Sequence, residues 1–139
     1  MAAGRARAFV DSSAWIAFLR ASDGHHREAE AMLRRAVDEK IPLLTTNLVL
    51  AEVHRFVLHR AGIRAAAIAL DRIATSPHVS VCFADAKHDR EARRWIARFS
   101  DQRITYTDAV SFAVMTDATI RSALTFDRDF AVAGFEIWR

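Results

Sequence analysis

The sequence predicts an α/β domain, with a mainly parallel central sheet flanked by helices on both faces. Three observations carry that reading. Short strand-like apolar runs alternate with helix-length stretches from one end of the chain to the other. The 139 residues suit one domain with a sizeable core, expected to span 1–139, and no internal repeat or boundary divides them. Glycine (4) and proline (2) are scarce, which leaves little room for linkers or disorder.

The elements follow in order. Residues 6–10 read as a first strand, and Ser12 or Ser13 can cap a helix running through Leu19. Residues 25–40 read as a helix with Ala29, Met32, Leu33 and Val37 inward. A second strand covers Ile41 to Thr45, with Pro42 tolerable near its start. Asn47 is expected to cap the next helix and Gly62 to close it. A helix over 63–74 stops at Ser76-Pro77. Val79 to Phe83 reads as a third strand, before a helix over 85–99 with a charged face of Lys87, Arg90, Arg93 and Arg94. A helix over 108–118 and strands at 121–126 and 135–138 complete the chain.

Composition narrows the function classes. The chain is 52% hydrophobic and 27% charged, ordinary for a compact soluble protein. No apolar run is long enough to span a bilayer, and Met1 to Arg7 lacks the hydrophobic segment of a signal peptide. The single cysteine, Cys82, excludes an internal disulfide, fits a reducing cytoplasm, and reads as a buried apolar thiol. Net charge is +3, and only Lys40 and Lys87 are lysines. Arginine suits bidentate phosphate contacts. A high-GC genome gives the same bias.

Four acidic residues stand where an ordinary fold prefers something else. Asp11 ends the apolar run Ala8-Phe9-Val10, and Asp127 follows Ala123-Leu124-Thr125-Phe126. Glu52 shares a helical stripe with Leu48 and Phe56, and Asp108 shares one with Phe112 and Met115. Carboxylates on apolar faces are costly unless compensated, so four at element ends suggest one shared cation site. Hard cations take oxygen ligands, and no Cys/His cluster or HExxH is present, which fits Mg²⁺ or Mn²⁺ better than zinc. Each acid has a plainer reading: a cap for Asp11, an ion pair with Arg55 or His59 for Glu52, favourable helix-start charge for Asp108, a turn for Asp127. Asp117 and Asp129 read as solvated or structural, and His25-His26 as surface.

Four segments carry a family resemblance. Phe9-Val10-Asp11-Ser12-Ser13-Ala14-Trp15-Ile16-Ala17 resembles the opening of a PIN-domain ribonuclease. Leu50-Ala51-Glu52-Val53, Thr105-Tyr106-Thr107-Asp108-Ala109 and Leu124-Thr125-Phe126-Asp127-Arg128-Asp129-Phe130 resemble its second, third and fourth motifs, with Gly134-Phe135 as the closing strand. Order, spacing and size look most like the VapC-type toxins of toxin–antitoxin pairs. Asp127 matches the fourth acidic position, and Asp129 is close enough to compete for it.

The resemblance implies a single PIN-like domain whose first and penultimate strands lie close together. It implies an endoribonuclease cutting single-stranded or looped RNA, with Mg²⁺ or Mn²⁺ on Asp11, Glu52 and Asp108, and Asp127 completing the cluster. Ser13 and Thr107 support the carboxylates or a metal-bound water, or serve as caps alone. Products with 5′-phosphate and 3′-hydroxyl ends, a cognate antitoxin protein and a homodimer are implied as well. The alternative is a catalytically silent PIN-like module that binds RNA or protein. A receiver-type domain wants an acidic pair after the first strand and a lysine near the last; Asp11 is followed by two serines. A haloacid-dehalogenase-type phosphatase wants Asp-x-Asp where this chain has Ser13.

Overall fold

The computed structural model of the chain describes residues 6–138. The first five residues of the segment read for a signal peptide lie outside them. Within the described residues the elements are β1 (Ala8–Val10), α1 (Ser12–Leu19), α2 (His26–Asp38), β2 (Leu43–Thr46), α3 (Asn47–Ala61), α4 (Ile63–Ala74), β3 (Val79–Cys82), α5 (Ala86–Arg98), α6 (Tyr106–Asp117), β4 (Ser122–Leu124), α7 (Asp129–Val132) and β5 (Glu136–Ile137). The five strands form one sheet in the order β3-β2-β1-β4-β5, and every pairing is parallel. All three residues of β1 are fully buried. Successive strand side chains point to opposite faces, so helices cover the central strand on both sides, as the apolar runs predict.

Packing explains the helix order. Neighbours in sequence pair in space: α1 on α2, α3 on α4, and α5 on α6. Helix α6 is buried without interruption from Asp108 to Met115. A helix apolar on every side belongs in the interior, and this one carries Asp108 in with it. Below the sheet, Phe112 meets Phe130 edge-on at 5.0 Å and Trp95 at 5.3 Å, while Phe9 stacks on Phe130 at 6.3 Å. No helix among the described residues is long and apolar enough to cross a membrane.

Several local expectations are corrected. The cap of α3 is Thr46, whose hydroxyl accepts from the Val49 amide at 3.1 Å; Asn47 Oδ1 instead accepts from the Ala84 amide at 2.9 Å. The cap of α1 is Asp11 by backbone position, because both serine hydroxyls are drawn to carboxylates. Helix α6 starts earlier than 108, at Tyr106, because the Thr105 hydroxyl accepts from the Asp108 amide at 3.1 Å. In α2 the inward position after Leu33 is Ala36, fully buried, while Val37 is 39% exposed. Seven residues from Ala29 nearly complete two turns and eight overshoot them. Cys82 is half-buried, since β3 is an edge strand. Between the strands expected at 121–126 and 135–138 the chain forms one further turn of helix, α7.

Truncating Phe112 to alanine is expected to cost about 3–5 kcal/mol. Thermal denaturation should show the melting point lowered by roughly 10 °C or more. A shift of only a degree or two would remove the aromatic cluster from the centre of the stability argument.

Candidate active site

Strand order creates the site. The chain builds β1, β2 and β3 outward in one direction, then returns to place β4 on the other side of β1. Open α/β sheets bind ligands outside the carboxyl ends of strands at such a reversal. The register pairs Val10 with Leu124, and the Asp11 amide donates to the Leu124 carbonyl at 3.1 Å. Asp11 and the Thr125–Asp127 segment therefore leave the sheet side by side.

Asp11 is 2% exposed and held by hydroxyls. Ser13 Oγ and Thr125 Oγ1 donate to its Oδ2 at 2.9 and 3.0 Å. Those hydroxyls in turn accept from the backbone amides of Phe126 and Asp127, both at 3.0 Å. Two peptide dipoles are thus relayed onto one carboxylate oxygen. Burial raises the pKa of Asp11, the Ser13 and Thr125 bonds oppose the rise, and the charge of Asp127 adds to it. Ser12 Oγ donates to Glu52 Oε2 at 2.7 Å and lies 3.4 Å from Asp11 Oδ1, so it ties Glu52 to Asp11. Glu52 is half-buried, as are Leu48 and Phe56 on its stripe; the core face of α3 is formed by Val49, Leu50 and Val53. Glu52 stands on the rim of the interior.

Asp108 occupies the first turn of α6 and is 7% exposed. Its pKa is pushed up to about 7, first by burial, then by the charges of Asp11 and Asp127, with Glu52 contributing less. Asp127 Oδ1 accepts from the Asp129 amide at 2.9 Å, a bond that turns the chain into α7 and brings the second carboxylate around. One ligand oxygen from each of Asp108, Asp127 and Asp129 lies within 4.8 Å of the others. Burial and then the charge of Asp127 raise Asp129 as well.

The structure therefore brings Asp11, Glu52, Asp108 and Asp127 into one neighbourhood and adds Asp129, which by sequence reads as solvated or structural yet competes with Asp127 for the fourth acidic position; both stand beside Asp108. The Asp-x-Asp spacing was the signal for it. Among supporting groups Ser13 touches Asp11 directly. Thr107 contributes its carbonyl, which accepts from Ser111 Oγ at 3.0 Å; its hydroxyl has no hydrogen-bond partner among the described residues. Thr125 and Ser12 make contacts that the sequence reading did not assign. Asp117 lies elsewhere, accepting from Lys87 Nζ at 2.6 Å beside His88.

Comparison with known proteins agrees with this geometry. The PIN domain family model matches residues 8–136. The chain is 37% identical over 132 residues to the 23S rRNA-specific endonuclease VapC20 of Mycobacterium tuberculosis, covering 91% of this chain and 94% of that protein. The crystal structure of that VapC20, described as a sarcin-ricin loop cleaving toxin, superposes with a TM-score of 0.81 over 91% of this chain and 95% of its own. FitAcB from Neisseria gonorrhoeae superposes with a TM-score of 0.70 at 16% identity, over 94% of this chain and 96% of that one, a likeness of fold alone. With the family model spanning nearly the whole chain and its acidic motifs converging at one sheet end, this protein belongs to the PIN domain family.

Proposed function

We propose that this protein is a metal-dependent endoribonuclease and the toxin of a toxin–antitoxin pair. The observation that carries the reading is the meeting of Asp108, Asp127 and Asp129 oxygens within 4.8 Å, beside Asp11 and Glu52. Its support is the 37% identity to an rRNA endonuclease over nearly the full length of both chains.

The donor set fits a hard divalent cation. It offers carboxylate oxygens alone, and the pKa of Asp108 is pushed up to about 7, first by burial and then by the negative charges of Asp11 and Asp127. We assign Mg²⁺ or Mn²⁺, held by Asp108, Asp127 and Asp129 with Asp11 and Glu52 alongside. A bound cation supplies Lewis-acid polarisation of a phosphoryl oxygen and a water of lowered pKa. The chain's own groups do the positioning. Ser13 and Thr125 fix Asp11 through backbone amides, and Ser12 fixes Glu52. The Asp127 carboxylate and the Asp129 amide lock the second acidic pair to the start of α7. The substrate is single-stranded or looped RNA, and a ribosomal RNA loop is the first to test, since VapC20 is described as cleaving one.

Incubation with cellular RNA should give cleavage with Mg²⁺ or Mn²⁺ and none in EDTA, with mapped products ending in 5′-phosphate and 3′-hydroxyl. Undiminished cutting in EDTA, or 2′,3′-cyclic phosphate ends, overturns the reading.

The partners proposed are a cognate antitoxin and a second copy of the chain. Light scattering at micromolar concentration should return twice the mass of one chain, and a monomer there removes the homodimer.

Asp108 contributes to the pH dependence of the metal-free fold, in the same direction as the raised Asp11 and Asp129. Its carboxyl holds a proton in the folded state up to about pH 7, whereas the unfolded chain releases it near 3.8. Stability in EDTA should therefore fall as pH rises from about 4 to 7 and level off above. Asp108→Asn removes that cost. At about 1.4 kcal/mol per pH unit of displacement, the variant should gain on the order of 2–4 kcal/mol at pH 8. It should also melt several degrees above the wild type in EDTA while losing cleavage. Mg²⁺ should raise the wild-type melting point more than the variant's, because it binds the folded site alone. A variant that melts lower than wild type at pH 8 in EDTA makes Asp108 a structural helix-start residue.

A further inference from the structure

One end of α3 carries Glu52 into the acidic site, and the next two turns of the same helix carry two arginines and a histidine. Arg55, His59 and Arg60 follow Glu52 at i+3, i+7 and i+8, with Phe56 between them at i+4. These side chains and Ile16 of α1 line an open groove of about 420 Å³ that begins at Glu52. At a rise of 1.5 Å per residue it runs roughly 10–12 Å from Glu52 to Arg60. Arg55 and Arg60 are exposed, and neither they nor Arg20 ion-pairs with a carboxylate among the described residues. By contrast Arg34, Arg93 and Arg94 are paired with acids of their own helices, and Arg35 with Glu39 just past the end of α2. The Arg60 and Arg20 guanidinium groups lie 5.0 and 5.8 Å from the Phe56 ring centre. A ring contact restrains an arginine without using its hydrogen-bond donors. Restrained donors lose less freedom when a phosphate arrives.

We infer that this α1–α3 groove is the subsite for the RNA backbone flanking the cut, with Arg55 and Arg60 taking successive phosphates and Phe56 holding Arg60 in place. The inference rests on the ribonuclease reading and gives it a direction. The substrate strand crosses the carboxylates and continues along α3, from Glu52 onto Arg55 and Arg60. Charge complementarity selects the occupant. An anionic chain is repelled by the metal-free acidic cluster, so its binding energy must come from cations beside that cluster. The groove supplies three basic side chains with a partly apolar floor, a combination suited to single-stranded nucleic acid.

The test separates binding from turnover. The Asp108→Asn protein, incubated in EDTA, is titrated into a fluorescent single-stranded oligoribonucleotide, with anisotropy read from about 50 to 200 mM KCl. Adding Arg55→Ala and Arg60→Ala together should weaken binding about tenfold and flatten the log–log salt slope by about 1.4, two phosphates at roughly 0.7 each. The matched pair Arg93→Ala and Arg94→Ala on α5 should leave affinity within about twofold, since those arginines already have carboxylate partners. Circular dichroism and melting check that each variant is folded. An unchanged affinity and slope in the α3 variant, or an equal loss from the α5 pair, overturns the groove assignment while leaving the nuclease reading standing. If the α3 variant instead loses binding only to a poly-aspartate peptide, the groove belongs to an acidic protein partner and the inference fails. Absence of any RNA binding by the Asp108→Asn parent defeats the ribonuclease reading and the groove together.

Discussion

Mutual repulsion among carboxylates at one sheet end governs this molecule. Asp108 is buried and faces the charges of Asp11, Asp127 and Glu52, and its proton affinity rises to near neutrality in consequence. Such a cluster persists only where the surrounding fold over-determines it. Asp11 is fixed by two hydroxyls that are themselves fixed by backbone amides, and these bonds oppose the effect of burial. Asp108 is carried in by a helix that is buried from Asp108 to Met115, which leaves it only 7% exposed. The apolar core therefore does more than stabilise: it forces together charges that would separate in water.

The parallel sheet makes the gathering possible. Because β4 lies beside β1 in parallel register, residues 11 and 125–127, more than a hundred positions apart in the chain, emerge at the same edge. Thr46, at the end of β2, starts the helix that brings Glu52. The aromatic cluster of Phe9, Phe112 and Phe130 links the strand before Asp11, the helix behind Asp108 and the turn after Asp129. The packing that supports the fold thus also sets the spacing of the acids.

Charge is distributed unevenly around that centre. On the α3 side the surface turns from acidic at Glu52 to basic at Arg55, His59 and Arg60 within two turns. On the other side Asp127 adjoins Arg128 and the stacked pair His25–Phe126, whose ring centres are 4.2 Å apart. The acids lie between two flanks, each offering an aromatic group and an arginine.

The sequence by itself determined the alternation of strands and helices, the parallel sheet, and the positions of Asp11, Glu52, Asp108 and Asp127. These features are local: apolar runs, helical stripes and acids at element ends can be read from neighbours a few residues away. Tertiary structure alone decided what those acids touch. The choice between Thr46 and Asn47 as a cap depended on where the Ala84 amide lies, on a different strand end. Ser12 and Ser13 look like helix caps, yet the carboxylates of Glu52, 40 residues away, and of Asp11, just past the end of β1, claim their hydroxyls. By sequence Asp127 and Asp129 compete for one acidic position, and the turn after Asp127 brings both toward Asp108. A hydroxyl or carboxylate has several possible partners of similar strength, and chain spacing does not rank them. Only the closed fold fixes which partner is within reach.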